Sequence, residues 1–81
     1  GDLKQLPKGS TLLDFAYEIH TDVGAGCTGG MVNGKLVPIR HELKNGDKVS
    51  IVTSKKQKPK LDWIAFVTTD RARSRIKRQL K

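Results

Sequence analysis

Thr11-Leu12-Leu13-Asp14-Phe15-Ala16-Tyr17-Glu18-Ile19-His20, running on into Thr21-Asp22-Val23-Gly24-Ala25-Gly26-Cys27-Thr28-Gly29-Gly30, decides how the rest of the chain is read. With residues about 100° apart on a helical wheel, Leu12, Leu13, Phe15, Ala16, Tyr17 and Ile19 fill one broad arc. Asp14 and Glu18 share the other, which predicts an amphipathic helix over a core with both carboxylates solvated. Ser10 or Thr11 is a suitable N-cap, and Asp14 stands at the capping-box position. Gly24 follows closely and can take the left-handed conformation that ends a helix. His20 falls in the last turn, where the chain is expected to leave for a loop holding Gly24 and Gly26. Carbonyls at a helix end favour a protonated imidazole, and glycines let another backbone approach. A small recognition site and a half-buried histidine bonded to its own loop both fit that placement.

Working outward, Asp2 to Leu6 alternates and stops at Pro7-Lys8-Gly9, the pattern of a short strand before a turn. Cys27 to Val32 reads as a weak strand, Asn33-Gly34 as a hairpin turn, and Lys35 to Ile39 as a returning strand that Pro38 confines to an edge or an end. A second Asn-Gly turn at Asn45-Gly46 precedes Lys48 to Thr53, whose alternation marks it as the expected central strand. Short strands with one interposed helix define an α+β roll. Asp62 is expected to cap a turn or two of helix through Val67. Asp70 is expected to cap a second helix, in which Ala72, Ile76 and Leu80 form a narrow apolar stripe. That stripe must lie on something, either Trp63 and Phe66 or another domain.

The chain has 81 residues and a net charge of +8. Residues 1–54 hold six Lys or Arg against six Asp or Glu, whereas residues 55–81 hold ten against two, so the entire excess sits in the last third. A neutral folded unit with a basic extension favours a polyanion as neighbour. The single cysteine excludes an internal disulfide and a cysteine-built zinc site, and fits a reducing cytoplasm. No apolar run is long enough to span a bilayer, and no signal-peptide pattern opens the chain, so no membrane partner is expected. Gly1-Asp2 without a preceding Met reads as a cut from something larger.

Catalysis finds little footing. No serine or cysteine nucleophile lies in a recognisable context, His20 and His41 lack ligand spacing, and the glycines match no phosphate-binding signature. A dyad of His20 with Cys27 is disfavoured because Cys27 begins a strand and reads as a core thiol. No catalytic residue, metal or cofactor is expected. The four aromatics sit on apolar helix faces, so base stacking has weak support, and phosphate contacts from the basic extension have more.

Lys8-Gly9-Ser10-Thr11, Asp14-Phe15-Ala16-Tyr17, Ile19-His20-Thr21-Asp22-Val23-Gly24, Val32-Asn33-Gly34-Lys35, Leu43-Lys44-Asn45-Gly46-Asp47 and Val49-Ser50-Ile51-Val52-Thr53 together resemble a TGS domain. This is a β-grasp, ubiquitin-like module of threonyl-tRNA synthetases, some GTPases and the RelA/SpoT alarmone enzymes. Asp62-Trp63, Phe66-Val67, Thr69 and Ala72-Arg73-Ser74-Arg75-Ile76-Lys77 resemble the segment that follows it in bifunctional RelA/SpoT homologues. The resemblance implies a β-grasp roll in residues 1–54, with one main helix on a small mixed sheet, and a basic linker and helical extension in residues 55–81. The strand that usually opens the domain, reading like Val-Phe-Val-Phe-Thr-Pro-Lys, has no counterpart here.

The function implied is regulatory: sensing of amino-acid starvation by a (p)ppGpp synthetase/hydrolase through the 3′ CCA end of uncharged tRNA on the ribosome. His20 would make the contact, with Thr21, Asp22, Gly24 and Gly26 as the wall around it. Lys55, Lys56, Lys58, Lys60, Arg71, Arg73, Arg75, Lys77 and Arg78 would touch RNA phosphates or other domains of the parent enzyme. Relatives commonly carry a basic residue where Gly26 stands, which removes one expected phosphate contact. The resemblance implies a second role, recognition of acyl carrier protein, and a structural alternative is an intramolecular clamp on the catalytic domains.

Overall fold

The computed structural model describes residues 9–44 and 46–80. The expected strand at Asp2 to Leu6 lies outside them. Helix α1 (Leu12–Ile19) starts on a complete capping box: the Thr11 hydroxyl accepts from the Asp14 amide, and the Asp14 side chain accepts from the Thr11 amide. Two further first-turn amides donate into the 39–43 loop, Leu12 to the His41 carbonyl at 2.9 Å and Leu13 to Ile39 at 3.2 Å. These are amides that the helix itself leaves unpaired.

The chain does not enter a loop at Thr21. It forms a second short helix, α2 (Thr21–Ala25), with His20 in extended conformation as the joint between the two. Gly24 accordingly lies inside α2 and does not end α1 in a left-handed conformation. Strand β1 (Cys27–Val32) turns through Asn33 (φ 54°) and Gly34 (φ 83°) into β2 (Lys35–Val37). Those positive φ values are what a two-residue hairpin demands and what Asn-Gly supplies. Strand β3 (Val49–Thr53) pairs with the other side of β1, giving the order β2-β1-β3.

The strand expected at the centre is therefore at the side of the described sheet, and β1 is central. Strong alternation in β3 reports one partly buried face, Val49 and Ile51, and says nothing of how many neighbours a strand has. A mixed sheet was also expected; the described strands pair antiparallel throughout. The two-residue turn forces this for β2, and the 38–48 loop returns β3 in the same sense. The two turns are tied together: the Asn33 amide group donates to Asp47 at 2.9 Å, and the Lys48 amide donates to Asn33 Oδ1 at 3.0 Å.

Past β3, helices α3 (Trp63–Phe66) and α4 (Asp70–Gln79) fold back over α1. Leu13, Ala16, Tyr17, Cys27, Trp63, Val67, Ala72 and Ile76 form one buried cluster. The Ala72–Ile76 part of the stripe is completely buried, while Leu80 is partly exposed. Helix α1 is thus a middle layer, with Leu12 against Gly30 of the sheet and Leu13 and Tyr17 toward the extension. Two caps differ from expectation. Asp62 makes no cap bond and stands 3.6 Å from Arg40, whose guanidinium also covers the Phe66 ring at 5.2 Å. Thr69, not Asp70, caps α4, accepting from the Ala72 amide. No described helix is long and apolar enough to cross a membrane.

Candidate functional site

Asp14 is buried, not solvated. Its Oδ2 accepts from the Thr11 amide (2.8 Å), the Thr11 hydroxyl (3.0 Å) and the Thr68 amide (2.9 Å). Its Oδ1 accepts from the Thr69 amide (3.0 Å) and hydroxyl (2.9 Å). One carboxylate therefore caps α1 and holds the turn that starts α4. Buried charge is tolerable only with such saturation. The wheel failed here because it counts a helix face as solvated unless a neighbour covers it, and this neighbour comes from 54 residues away. The capping-box spacing and the Thr68-Thr69 pair before an apolar stripe were the available signals. Glu18, expected beside Asp14 on the solvated face, is partly covered and meets Arg71 at 3.5 Å.

His20 is placed by three bonds. Its amide donates to the Ala16 carbonyl (3.2 Å), its carbonyl accepts from the Gly24 amide (3.1 Å), and its Nδ1 accepts from the Asp22 amide (3.0 Å). The ring is bonded to its own turn yet well exposed, 65% of the side chain, so it is not half-buried. The Asp22 carboxylate stands 3.8 Å from the same Nδ1. The amide contact is the shorter of the two and occupies Nδ1, which leaves Nε2 as the ring nitrogen without a hydrogen-bond partner among the described residues. Nothing pairs His20 with Cys27, which is fully buried and donates to the Gly29 carbonyl.

Around that ring, Thr21 is half-buried, Asp22 exposed, and Gly24 buried against Tyr17. Gly26 closes α2; its carbonyl accepts from Ser54, and a Cβ there would stand 3.3 Å from the Ser54 oxygen. His20 thus forms the joint between α1 and α2, Thr21, Asp22 and Gly24 lie within α2, and Gly26 stands at its far end before β1. The basic residues do not form a single cluster with them. Lys55, Lys56, Lys58 and Lys60 line the exposed connection after β3. Arg71, Arg73, Arg75, Lys77 and Arg78 ride on α4, which packs against α1 and α2. Arg71 is engaged with Glu18, and Arg73 with Asp70 (3.1 Å) and the Val67 carbonyl (3.3 Å). Among the described residues, no three of His, Cys, Asp and Glu are grouped to hold a metal.

A helix grasped by a small antiparallel sheet defines a ubiquitin-like β-grasp module. The TGS domain family matches residues 1–53, and the chain belongs to that family. It is 53% identical over all 81 residues to a GTP pyrophosphokinase of Myxococcus xanthus. It is equally identical over the same length to a guanosine-3′,5′-bis(diphosphate) 3′-pyrophosphohydrolase of Aquifex aeolicus. A GTP pyrophosphokinase of Escherichia coli is 48% identical over 80 residues, 94% of this chain. The likeness is thus to the TGS segment of RelA/SpoT-type proteins and extends through α4. The chain spans about a tenth of these relatives' length, from 11% to 12%.

Proposed function

We propose that this chain is the regulatory TGS domain of a stringent-response (p)ppGpp synthetase/hydrolase, and that His20 receives the 3′ CCA end of uncharged tRNA on the ribosome. The observation that carries the reading is the imidazole itself: exposed, and held by its own amide, carbonyl and Nδ1. A ring held in place can meet a ribose hydroxyl or a phosphate oxygen without first being ordered. Thr21, Asp22, Gly24 and Gly26 supply the surrounding wall, and a wall close to a terminal ribose rejects an esterified amino acid by clash. Lys55, Lys56, Lys58 and Lys60, with Lys77 and Arg78, add phosphate attraction from exposed positions. The setting is cytoplasmic, where translating ribosomes are.

The test is binding of the chain and of His20→Ala to one tRNA in uncharged and aminoacylated forms, across a salt series. The expected result is a preference for the uncharged form that the variant loses. Affinity should also fall steeply with salt, in proportion to the phosphates contacted. Equal binding of both forms, or none by a folded chain, would refute the sensor reading. Competition by an acidic helical protein would then favour acyl carrier protein. A change in parent-enzyme activity on deletion, without affinity for either ligand, would favour a clamp.

A further inference from the structure

Helix α2 has few anchors of its own. It has five residues, and only Gly24 among them is buried. A helix that short does not hold itself in water, so its placement depends on its neighbours: Val23 packs on the core, α4 borders the helix, and Gly24 has a closely fitted support of its own. That support is the Tyr17 ring: a Cβ on Gly24 would lie 2.5 Å from both Cδ1 and Cδ2. The Tyr17 hydroxyl continues past the contact and donates to Oε1 of Gln79, the last residue of α4, at 2.7 Å. Packing alone would be served by phenylalanine; a hydroxyl this deep requires a partner, and the chain provides it from 62 residues away. On the other side of α2, the Gly24 amide donates to the His20 carbonyl and the Asp22 amide to the His20 ring. Gln79, Tyr17, Gly24 and His20 are thus successive links from the end of the extension to the exposed imidazole.

We propose that Tyr17 and Gln79 are positioning residues for His20, so that the docking of α4 on α1 sets how α2 presents the imidazole. A domain joined to the end of α4 could then weaken or strengthen the His20 site without touching it. The consequence for RNA rests on the reading of His20 as the tRNA-end contact; the mechanical coupling does not. Glu18–Arg71 and Asp14–Thr69 also bind α4 to α1, but they reach α1 away from Gly24, so they fasten the extension without addressing α2.

The experiment is solution NMR of the 81-residue chain, following the His20 ring carbons and the Asp22 amide, in Gln79→Leu, Tyr17→Phe, the double variant and Gln79→Glu. Loss of the acceptor or of the hydroxyl should move the His20 and Asp22 signals in the same direction. The double variant should move them no further, because the two singles break one bond. Gln79→Glu keeps an acceptor oxygen and should restore the wild-type positions. Binding of a short RNA ending in CCA should weaken about fivefold or more in the first three variants, at the low end of measured coupling between sites. It should not weaken in Gln79→Glu. Gln79 lies at a helix end, so its variants keep the comparison intact if Tyr17→Phe disturbs the fold. Unmoved His20 and Asp22 signals in folded Gln79→Leu, or strictly additive shifts, would overturn the coupling. If the signals move as expected while His20→Ala leaves RNA affinity unchanged, the coupling stands and the tRNA-end reading falls.

Discussion

Asp14→Asn exchanges one carboxylate oxygen for an NH2 at a place where every neighbour is a donor. If the new NH2 replaces Oδ2, it faces the Thr11 amide; if it replaces Oδ1, it faces the Thr69 amide. The Thr68 amide touches both oxygens, at 3.1 and 2.9 Å, and keeps a partner either way. The hydroxyls of Thr11 and Thr69 can rotate. The least disruptive arrangement therefore loses one backbone amide bond to a charged acceptor. Such a bond contributes about 1.5–3 kcal/mol, and the orphaned donor adds its own desolvation, so the expected loss is about 2–4 kcal/mol. A chain of this length has a total stability of roughly 4–12 kcal/mol. At about 4–8 °C per kcal/mol, Tm should fall by roughly 10–30 °C. Urea unfolding followed by Trp63 fluorescence reads the result, since this sole tryptophan is buried in the shared core. Far-UV circular dichroism should trace the same single transition, because Asp14 belongs equally to α1 and to the start of α4. Salt should leave the difference unchanged, unlike that from the partly exposed Arg71–Glu18 pair. A loss below about 0.5 kcal/mol, within the range of ordinary surface substitutions, would refute the role given to this carboxylate.

Asp47 is held below the usual carboxylate range, first by the Lys44 amide and then by the Asn33 side chain. Its folded value lies under its unfolded one, so its contribution is whole above the ordinary value of about 3.9 and vanishes as pH falls through the folded value. Asp47→Asn should flatten that part of the acid unfolding curve, and an unchanged curve would contradict the assignment. Burial pushes the Cys27 thiol up, so a thiol reagent at neutral pH should modify it only as fast as the chain opens. Rapid modification of folded protein would contradict its place in the core.

Much of the fold was legible because its signals are local. Thr11 and Asp14 lie three residues apart and cap their helix as spaced, and the Asn33-Gly34 turn has the positive φ values its residues favour. What escaped the sequence depends on distant partners. Asp14 looked solvated because Thr68 and Thr69 are far along the chain. Helix α2 looked like a loop because Thr21 to Gly26 holds two glycines; it is helical because His20 caps it and Tyr17 lies beneath it. The position of His20 at a helix end left a recognition site and a loop-bonded histidine both open, and the candidate site and its ligand came from the family resemblance. Gln79 carried no signal at all, since a glutamine at the end of a basic helix has no sequence mark of reaching a buried phenol.

That α1 is buried on both sides bears on the order in which the chain is made. When Thr53 has been added, residues for the sheet side exist, but Trp63, Val67, Ala72 and Ile76 do not yet cover Leu13 and Tyr17, and Asp14 lacks its bonds from Thr68 and Thr69. Synthesis at about 5–20 residues per second leaves that face open for a second or more before α4 follows. During that interval the nascent domain shows an apolar stripe and an unsaturated charge side by side. A chain stopped at Thr53, where the family match ends, would keep that face open for good. Truncation there is thus expected to yield a sticky, protease-sensitive product, and a boundary after Leu80 a stable one.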